Sequence, residues 1–307
     1  MGFSIVDIQY EIGEIEIDVV RDFPEYEAVL QKTGMPTLFR SDRSIEDLAT
    51  AAAQRLLSRN EHYMSELGCL IVVSQSSDFH LPSIACSVHH NLGLPPNAMA
   101  FDINQGCSGF VQALSVAAAL LESHRCILVV TADKYRGKLR SGDRSTESVF
   151  SDAAAATLVR RGGPLSVTHQ SHLTDGSGRR FLVQRIGDTL SMSGADVFVW
   201  TRSKVLKQIQ SVIDSESSMG RRPETIYLHQ ASLLVVNSIR TFLPTDIYIP
   251  IDVSRYGNTV SSSIPILLSN ELTAFNQSRN LLLVGFGVGL SSSVISISRS
   301  VDESRSK

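Results

Sequence analysis

The sequence has no surplus of positive charge and few aromatic residues. Its 28 Lys and Arg residues are outnumbered by 31 Asp and Glu, which gives a net charge of −3, and aromatic residues make up only 7% of the chain. A protein with this balance has no general electrostatic attraction to phosphate backbones or to anionic lipid. The aromatic residues are also not interleaved with basic ones. We therefore exclude binding to nucleic acid and to charged membrane surfaces.

Long apolar runs are absent too. No stretch approaches the roughly 18 to 20 apolar residues that a membrane-spanning helix needs. The opening segment, MGFSIVDIQYEIGEIEID, is acidic where a secretory signal peptide is basic. We therefore expect the protein to act in the cytoplasm, without a membrane as its partner.

Cysteine is scarce, with 4 residues in 307, and none of them forms a C-x-x-C pair. This spacing excludes the common zinc sites, and we expect no bound metal. Three of the four, Cys69, Cys86 and Cys126, lie in apolar segments, which is typical of small buried structural side chains. Only Cys107 has a different setting.

What the chain does have is a regular alternation of strand-like and helix-like segments. Its composition, 43% apolar and 19% charged, is that of an ordinary globular protein. The alternation predicts an α/β fold in which helices cover a largely buried sheet. In the first half we predict helices 45–58, 81–91 and 108–122, and strands 70–74, 97–103, 126–132 and 154–159. In the second half we predict helices 196–213, 232–242 and 262–276, and strands 225–228, 247–251, 281–285 and 291–298.

Both halves of the chain contain strand–turn–helix units with a polar or reactive residue at the turn. This similarity suggests a duplicated α/β unit, although no residue-level repeat proves it. Charge, glycine and proline interrupt the pattern in RRGGP, at 160–164. We therefore predict two domains, 1–162 and 163–307.

The segment DINQGCSGF (102–110) places Cys107 between a predicted strand and a predicted helix. A residue at the first turn of a helix faces unpaired N–H groups and the positive end of the dipole, which favour a thiolate and can hold an oxyanion. Gly106 and Gly109 would allow a sharp turn and the close approach of a substrate. From these residues alone, Cys107 is either a nucleophile or a buried structural cysteine.

Two further polar residues stand at strand ends in the second half. His229 follows the short strand TIYL, where α/β proteins commonly bind ligands, although a core or capping histidine has the same pattern. Asn258 lies in RYGNTVSSSIP, where Gly257 and Asn258 could simply form a turn.

The segment GFGVGL (285–290) resembles a dinucleotide-binding loop only superficially. Leu290 stands where the last glycine should be, and the following SSSVISIS predicts a strand rather than a phosphate-binding helix. We therefore predict a tight connection between two antiparallel strands.

The loop DKYRGKLRSGDR (133–144) is rich in basic residues. We expect a solvated surface loop. A docking site for the phosphates of a ligand or carrier is the alternative.

Taken together, these segments resemble the β-ketoacyl-acyl-carrier-protein synthase III family of the thiolase superfamily. DINQGCSGF resembles that family's nucleophile motif, LHQAS its histidine motif, RYGNTVSSSIP its asparagine motif and GFGVGL its glycine-rich turn. Weaker matches are KTGM (32–35), LPSIAC (81–86), GDRST (142–146) and LSMSGADVF (190–198). The resemblance covers nearly the whole chain.

The resemblance implies a thiolase-like, five-layered αβαβα fold made of two similar halves, and a homodimer. It implies that Cys107 is acylated by acyl-CoA, with the N–H groups of Cys107 and Val288, beside Gly287, holding the oxyanion. His229 and Asn258 would then stabilise the enolate formed when a malonyl thioester, on a carrier protein or on CoA, loses CO₂. Neutral donors suit an enolate, because an anion beside it would oppose the developing charge.

The resemblance also implies a substrate site, with acyl-CoA as substrate and no resident cofactor. We assign Lys32, Arg144, Leu81 and Gly289 to that site. Lys32 and Arg144 are placed toward CoA and Leu81 toward the acyl channel.

Three departures from the family pattern affect the expected partners. Ser232 and Leu234 stand where the family commonly has an asparagine and an arginine, so a cation associated with carrier docking is missing, and Lys32 replaces an arginine. The glycines of FGDGAGA are also lost at 150–156. We therefore expect a condensing enzyme of a specialised pathway. The alternatives are an acyltransferase that uses an alcohol or amine acceptor, and the inactive subunit of a heterodimeric synthase.

Overall fold

The computed structural model describes residues 2–300, and the strands and helices account for most of them. The strands are β1 (Phe3–Ile12), β2 (Ile15–Asp18), β3 (Thr37–Arg40), β4 (Leu67–Val73), β5 (Met99–Ile103), β6 (Cys126–Asp133), β7 (Ala153–Arg161), β8 (Leu165–Thr174), β9 (Leu182–Val183), β10 (Ser191–Met192), β11 (Thr225–Leu228), β12 (Asn280–Gly287) and β13 (Ser291–Arg299). The helices are α1 (Val19–Asp22), α2 (Glu27–Thr33), α3 (Ile45–Ser58), α4 (Ile84–Asn91), α5 (Gly109–Leu120), α6 (Arg144–Glu147), α7 (Gly194–Trp200), α8 (Leu206–Ser218), α9 (Leu233–Arg240), α10 (Val253–Tyr256), α11 (Ser263–Asn270) and α12 (Leu272–Gln277).

Nine strands form two half-sheets that meet at one residue pair. The first half-sheet has the order β5-β4-β6-β7-β1 and the second has the order β8-β13-β12-β11. Phe3 of β1 pairs with Leu165 of β8, and this pair joins the two. The connection between β7 and β8 runs through Gly162 and Gly163, whose φ angles are 83° and 127°. The chain therefore passes from the first half-sheet to the second within the segment that carries the predicted domain boundary.

Alternating side chains place each half-sheet between two helical layers. In β4, Ile71 and Val73 join the cluster that contains α5 and α11, while Leu70 and Val72 join the cluster that contains α3 and α4. In the second half-sheet β12 divides in the same way: Leu281 and Leu283 face the α5 and α11 layer, and Leu282 and Val284 face α8 and α9. This is the period of two that a doubly covered strand produces.

The resulting order of layers is α3/α4, first half-sheet, α5/α11, second half-sheet, α8/α9. This confirms the five-layered αβαβα fold that the resemblance implies. Helix 45–58 and strand 225–228 are found as predicted. GFGVGL connects the antiparallel strands β12 and β13, also as predicted.

The sheet differs from the predicted strands in three places. Segment 247–251 forms no strand and contributes only an isolated bridge between Tyr248 and Thr225. Sequence patterns also failed to indicate β1 and β8, which lie in the middle of the sheet. Within residues 2–300, none of the helices is long and apolar enough to cross a membrane.

Candidate active site

Cys107 lies in the turn between β5 and α5, two residues before the helix begins. Its side chain is buried, with 4% of its surface exposed. The turn is closed by a hydrogen bond of 2.8 Å from the N–H of Gly109 to the carbonyl oxygen of Gly106. The predicted position of the thiol at the strand–helix junction is therefore correct.

The two glycines beside Cys107 leave room for protein atoms, not for a substrate as we predicted. A Cβ on Gly106 would lie 2.6 Å from Oε1 of Gln75, and one on Gly109 would lie 2.4 Å from Cγ1 of Val73. Neither glycine has a positive φ, so the turn does not require glycine for its backbone angles. Gly109 is needed because Val73 packs against the backbone here, whereas the atom closest to Gly106 is the end of the flexible Gln75 side chain.

The glycine-rich turn after β12 contacts the sulfur of Cys107. A Cβ on Gly287 would lie 3.0 Å from Sγ of Cys107, so only glycine lets the chain approach this closely. The backbone N–H groups of Cys107 and Val288 both act on the thiol and lower its pKa. The structure thus brings together the two donors that the sequence assigned to the oxyanion.

Burial nevertheless determines the protonation state of the thiol. Loss of water, with a further contribution from the charge of Asp133, raises the pKa of Cys107 to about 12. The backbone N–H groups act in the predicted direction, but their effect is smaller. The N–H groups at the helix start thus favour a thiolate, as predicted, but burial outweighs them and the pKa of Cys107 lies above that of an ordinary cysteine.

His229 directly follows β11 and is held from two sides. Its N–H donates to the carbonyl oxygen of Val284, at 2.9 Å, and its Nδ1 lies 2.6 Å from Oγ of Ser263 at the start of α11. Burial lowers the pKa of His229 to about 3, so the ring is neutral.

The hydrogen bond to Ser263 indicates which ring nitrogen carries the proton. Within residues 2–300, the Ser263 hydroxyl has no hydrogen-bond partner other than His229. A buried hydroxyl needs an acceptor, so it donates to Nδ1. The proton of the neutral ring is then on Nε2, which can donate to a ligand.

The Asn258 amide is oriented by its own turn. Its Oδ1 accepts from the N–H of Val260 at 2.9 Å, and its Nδ2 donates to the carbonyl oxygen of Ala231 at 3.4 Å. The second N–H of the amide is thus available as a donor. Gly257 precedes it with a φ of 66°, and a Cβ there would lie 2.3 Å from Cδ2 of Leu38.

A series of contacts brings the three predicted catalytic residues to the same region. Cys107 packs against β12 at Gly285 and Gly287. The same strand accepts the backbone hydrogen bond of His229, through Val284. Asn258 reaches the His229 segment through Ala231, as Ser263 does through the ring of His229.

The four residues assigned to the substrate site lie in two places. Leu81 and Gly289 line a cavity of about 950 Å³ that reaches Val288. Lys32, in the last turn of α2, and Arg144, the first residue of α6, are exposed and do not line this cavity. A hydrogen bond of 2.8 Å between Tyr26 and Glu147 joins the α2 and α6 regions.

A buried polar network surrounds Asp133, at the end of β6, and sequence patterns did not predict it. Its carboxylate accepts hydrogen bonds from the N–H of Gln75, from the hydroxyl of Ser76 and from the hydroxyl of Ser261. Burial raises the pKa of Asp133 to about 6. The network ties β4, β6 and the asparagine turn together. In the sequence, only the serine run 261–263 could have indicated such a network. The same run is equally typical of the start of a helix.

The basic loop is only partly a solvated surface. The guanidinium of Arg136 donates to the carbonyl oxygens of Glu147 and Phe150, and the ammonium of Lys134 donates to the carbonyl oxygen of Arg43. These two residues are therefore structural, while Arg140 and Arg144 are exposed.

Comparison with known proteins agrees with this geometry. Residues 101–176 match the family model of 3-oxoacyl-[acyl-carrier-protein] synthase III, and residues 223–298 match the model of its C-terminal part. The chain is 31% identical over 270 residues to the β-ketoacyl-[acyl-carrier-protein] synthase III of Streptococcus sanguinis, covering 81% of this chain and 83% of the relative. It is 29% identical to that of Koribacter versatilis, with 86% of each chain covered.

A solved structure gives the same result for the fold. The crystal structure of a 3-oxoacyl-(acyl-carrier protein) synthase from Burkholderia xenovorans superposes with a TM-score of 0.87 at 26% identity, covering 98% of this chain and 95% of that one. Fold, motif order and sequence identity thus agree over most of the chain. It belongs to the 3-oxoacyl-[acyl-carrier-protein] synthase III family of acyl-transferring condensing enzymes.

Proposed function

We propose that this enzyme loads an acyl group from acyl-CoA onto Cys107 and condenses it with a malonyl thioester. The observation that supports this most directly is the pair of backbone N–H groups, of Cys107 and Val288, at the buried sulfur. Donors preorganised around a reacting sulfur stabilise the tetrahedral intermediate of acyl transfer. They also require no reorganisation when the charge develops.

In the loading step Sγ of Cys107 attacks the thioester carbonyl carbon of acyl-CoA. A carbon–sulfur bond forms to the enzyme, the bond to the CoA sulfur breaks, and the thiol proton passes to the leaving CoA thiolate. The proton stays on Cys107 until the substrate arrives, because burial holds the pKa of the thiol at about 12. Before substrate binds, the enzyme therefore presents no thiolate that would react with other electrophiles.

In the condensing step the neutral side chains of His229 and Asn258 donate to the thioester carbonyl of the malonyl group. The bond to the carboxylate breaks, CO₂ leaves, and the electron pair forms an enolate whose oxygen these donors hold. The enolate carbon then attacks the acyl carbonyl, and the bond to Sγ breaks. Sγ leaves as a thiolate and takes up one proton from solvent, so the products are CO₂, a 3-oxoacyl thioester and the free thiol of Cys107. Burial suits this role, since it keeps His229 neutral at physiological pH.

The partners proposed are acyl-CoA, a malonyl group on a carrier protein or on CoA, and a second copy of this chain. We place the reaction in the cytoplasm and assign CoA to the surface of α2 and α6. Exposed Lys32 and Arg144 offer cations there for phosphate groups. Leu234, at the family's docking arginine, is 47% exposed and carries no charge. We therefore propose a specialised pathway rather than general fatty-acid initiation.

Two substitutions separate the steps of this mechanism. His229→Ala and Asn258→Ala should keep acylation of Cys107 within a few-fold of wild type and lower CO₂ release from carboxyl-labelled malonyl thioester by about 100-fold or more. Cys86→Ala serves as the control, because Cys86 is exposed, contrary to the burial that we predicted for it, and does not line the cavity. Acyl-enzyme that forms normally in the wild type but never releases labelled CO₂ would contradict the condensing function.

A second candidate is transfer of the acyl group to an alcohol or amine without decarboxylation. The uncharged Leu234 surface favours it, because a carrier-docking cation is missing. The site favours it less, since a His229 with a pKa of about 3 is a poor general base. Acyl-enzyme that is discharged by an alcohol or amine, but not by a malonyl thioester, would select this function. If the pathway still forms its product when this chain carries Cys107→Ala, the chain would instead be the inactive subunit of a heterodimeric synthase.

A further inference from the structure

The cavity beside Cys107 has polar groups in its wall where an acyl chain would lie. It extends from Val288 and Gly289, at the sulfur, to Leu81 and Ile186, each 85% exposed at its mouth. The buried part of its wall combines apolar side chains, Ile84, Leu182 and Leu190, with polar groups that include those of Gln75, Tyr135 and Lys138. Any effect of these polar groups on which acyl group is accepted rests on the proposed acylation of Cys107.

Two polar side chains lie next to the nucleophile turn. The hydroxyl of Tyr135 donates to Oε1 of Gln75 at 3.0 Å, and both groups face Gly106, the residue before Cys107. The Nε2 group of Gln75 makes no hydrogen bond within residues 2–300. Both residues line the cavity. A wholly aliphatic chain would cover this unpaired donor without replacing its hydrogen bond to water.

Lys138 extends the polar wall by one turn of helix. It ends the short 3₁₀ turn Arg136–Lys138, and its N–H donates to the carbonyl oxygen of Tyr135 at 2.8 Å. Residues three apart in a 3₁₀ turn lie on the same side, so Lys138 and Tyr135 face the cavity together. Lys138 is half-buried and also lines the cavity.

The ammonium of Lys138 has no counter-ion at contact distance. Within residues 2–300 it makes no hydrogen bond, and no carboxylate oxygen lies within 4.0 Å of it. Burial lowers the pKa of Lys138, as expected for a cation that has lost water without gaining a partner. Such a group is stabilised by an incoming anion.

Among the charged residues that line the cavity, the cations outnumber the carboxylates by one. Arg179 and Arg185 line it along with Lys138, and the carboxylates that line it are Asp78 and Asp102. Both oxygens of Asp102 already accept hydrogen bonds, from the N–H groups of Ile84 and Ala85, each at 2.8 Å. The charges of Asp78 and of buried Asp133 also act on Lys138. Neither carboxylate contacts the ammonium, and that of Asp133 accepts hydrogen bonds from its own donors.

We propose that this cavity selects acyl groups that end in a carboxylate, and that Lys138 is the specificity-determining residue. A 3₁₀ helix rises about 2 Å per residue, so Lys138 lies about 6 Å beyond Tyr135 along the turn. A short dicarboxylic monothioester, such as succinyl-CoA, carries the charge that Lys138 would pair. Loading follows the same balanced exchange of thioester bonds as for any acyl-CoA.

The test compares succinyl-CoA with 4-methylpentanoyl-CoA, which has nearly the same shape but no charge. The rate of acylation of Cys107 is followed by intact-protein mass spectrometry at low substrate concentration. We expect wild type to prefer succinyl-CoA by at least about tenfold. Lys138→Met should reduce the preference to less than about twofold, while Lys138→Arg retains it. Lys207→Met, on the exposed face of α8, is the matched control and should change nothing.

Two results would overturn the proposal. One is that wild type is acylated by 4-methylpentanoyl-CoA as fast as by succinyl-CoA, or faster. This result does not depend on the folding of any variant. The other is a succinyl preference that survives in Lys138→Met. Acylation by neither compound, nor by unbranched acyl-CoAs, would instead refute the proposed function on which this inference rests.

Discussion

At the scale of single residues, burial sets the charge state of the reactive groups. It raises the pKa of Cys107 to about 12 and lowers that of His229 to about 3, so both are neutral between these values. A neutral pair agrees with a mechanism in which negative charge appears only on the substrate oxygens. It differs from a thiolate–imidazolium pair, which would carry its charges before substrate binds.

The thiol pKa gives a direct prediction for chemical modification. Only the thiolate reacts with iodoacetamide, and far below its pKa the thiolate fraction rises about tenfold per pH unit. We therefore expect the rate of Cys107 alkylation to increase about tenfold per unit from pH 7 to pH 10. The rate is measured by peptide mass mapping of the modified cysteine, with Cys107→Ala as the blank. A plateau beginning near pH 7 would show that the thiolate is already formed.

Ser263 is predicted to position His229. Ser263→Ala removes the hydrogen bond to Nδ1 and frees the ring to take the other tautomer, which cannot donate from Nε2. We expect CO₂ release to fall by about tenfold, the equivalent of about 1.4 kcal/mol. Acylation of Cys107 should be unchanged.

A conservative variant separates positioning from general damage. Ser263→Thr keeps the hydroxyl and should recover most of the decarboxylation rate. If Ser263→Ala slows acylation and decarboxylation equally, the residue has only a structural role.

At the scale of secondary-structure elements, the junction between β5 and α5 depends on close packing. Gly109→Ala would place a methyl group 2.4 Å from Cγ1 of Val73, in the core of the first half-sheet. Overpacking of this kind costs about 1 to 3 kcal/mol. We expect the free energy of unfolding in urea to fall by that amount.

Gly137→Ala is the matched control for the junction. A Cβ there meets nothing within 4 Å. Its unfolding free energy should stay within about 0.5 kcal/mol of wild type. Equal stability of the two variants would show that β4 and α5 have room to move apart.

Sequence patterns identified elements where local signals agree with burial. Helix α3 has a Ser44 cap that accepts from the N–H of Asp47, followed by apolar residues at helical spacing, and its bounds were predicted correctly. Strand β8 was missed because LSVTHQSHLT is polar. Its side chains pair instead with the serine-rich β13, as His172 does with Ser293 at 3.1 Å. Strand β1 has a bulge between Ile5 and Asp7, which interrupts its alternation.

Site residues, too, could be predicted from the sequence only where a local pattern marks them. Cys107, His229 and Asn258 could be proposed because each lies in a recognisable local segment. Ser263 could not, and Lys138 was indicated only as one cation of the basic loop 133–144, because the importance of both comes from what tertiary packing places beside them. Ser263 contacts a histidine 34 residues away, and Lys138 lines a cavity whose other walls come from distant loops.

At the scale of the whole molecule, the site lies where the two half-sheets meet the central helices. Cys107 precedes α5 and Ser263 begins α11, the two helices between the half-sheets, while His229 and Gly287 come from strands of the second half-sheet. Neither half alone contains both the nucleophile and the enolate donors. A protein lacking residues 163–307 should therefore have neither activity.

The cavity mouth suggests how copies of the chain associate. Phe79, Leu81 and Ile186 expose 60%, 85% and 85% of their surfaces there, and apolar exposure of this kind is typical of an interface. We expect sedimentation equilibrium to give twice the chain mass of 33.5 kDa. A monomer at micromolar concentration would contradict the homodimer.

The most direct test of the proposed cycle is the mass of the intact enzyme as it turns over once. After exposure to a mixture of acyl-CoAs, including succinyl-CoA, wild type should gain one acyl group and Cys107→Ala none. Adding malonyl-carrier or malonyl-CoA should return the wild type to its original mass as CO₂ and a 3-oxoacyl thioester appear. Acylation of the Cys107→Ala variant, or an acyl-enzyme that no malonyl thioester discharges, would contradict the proposed cycle.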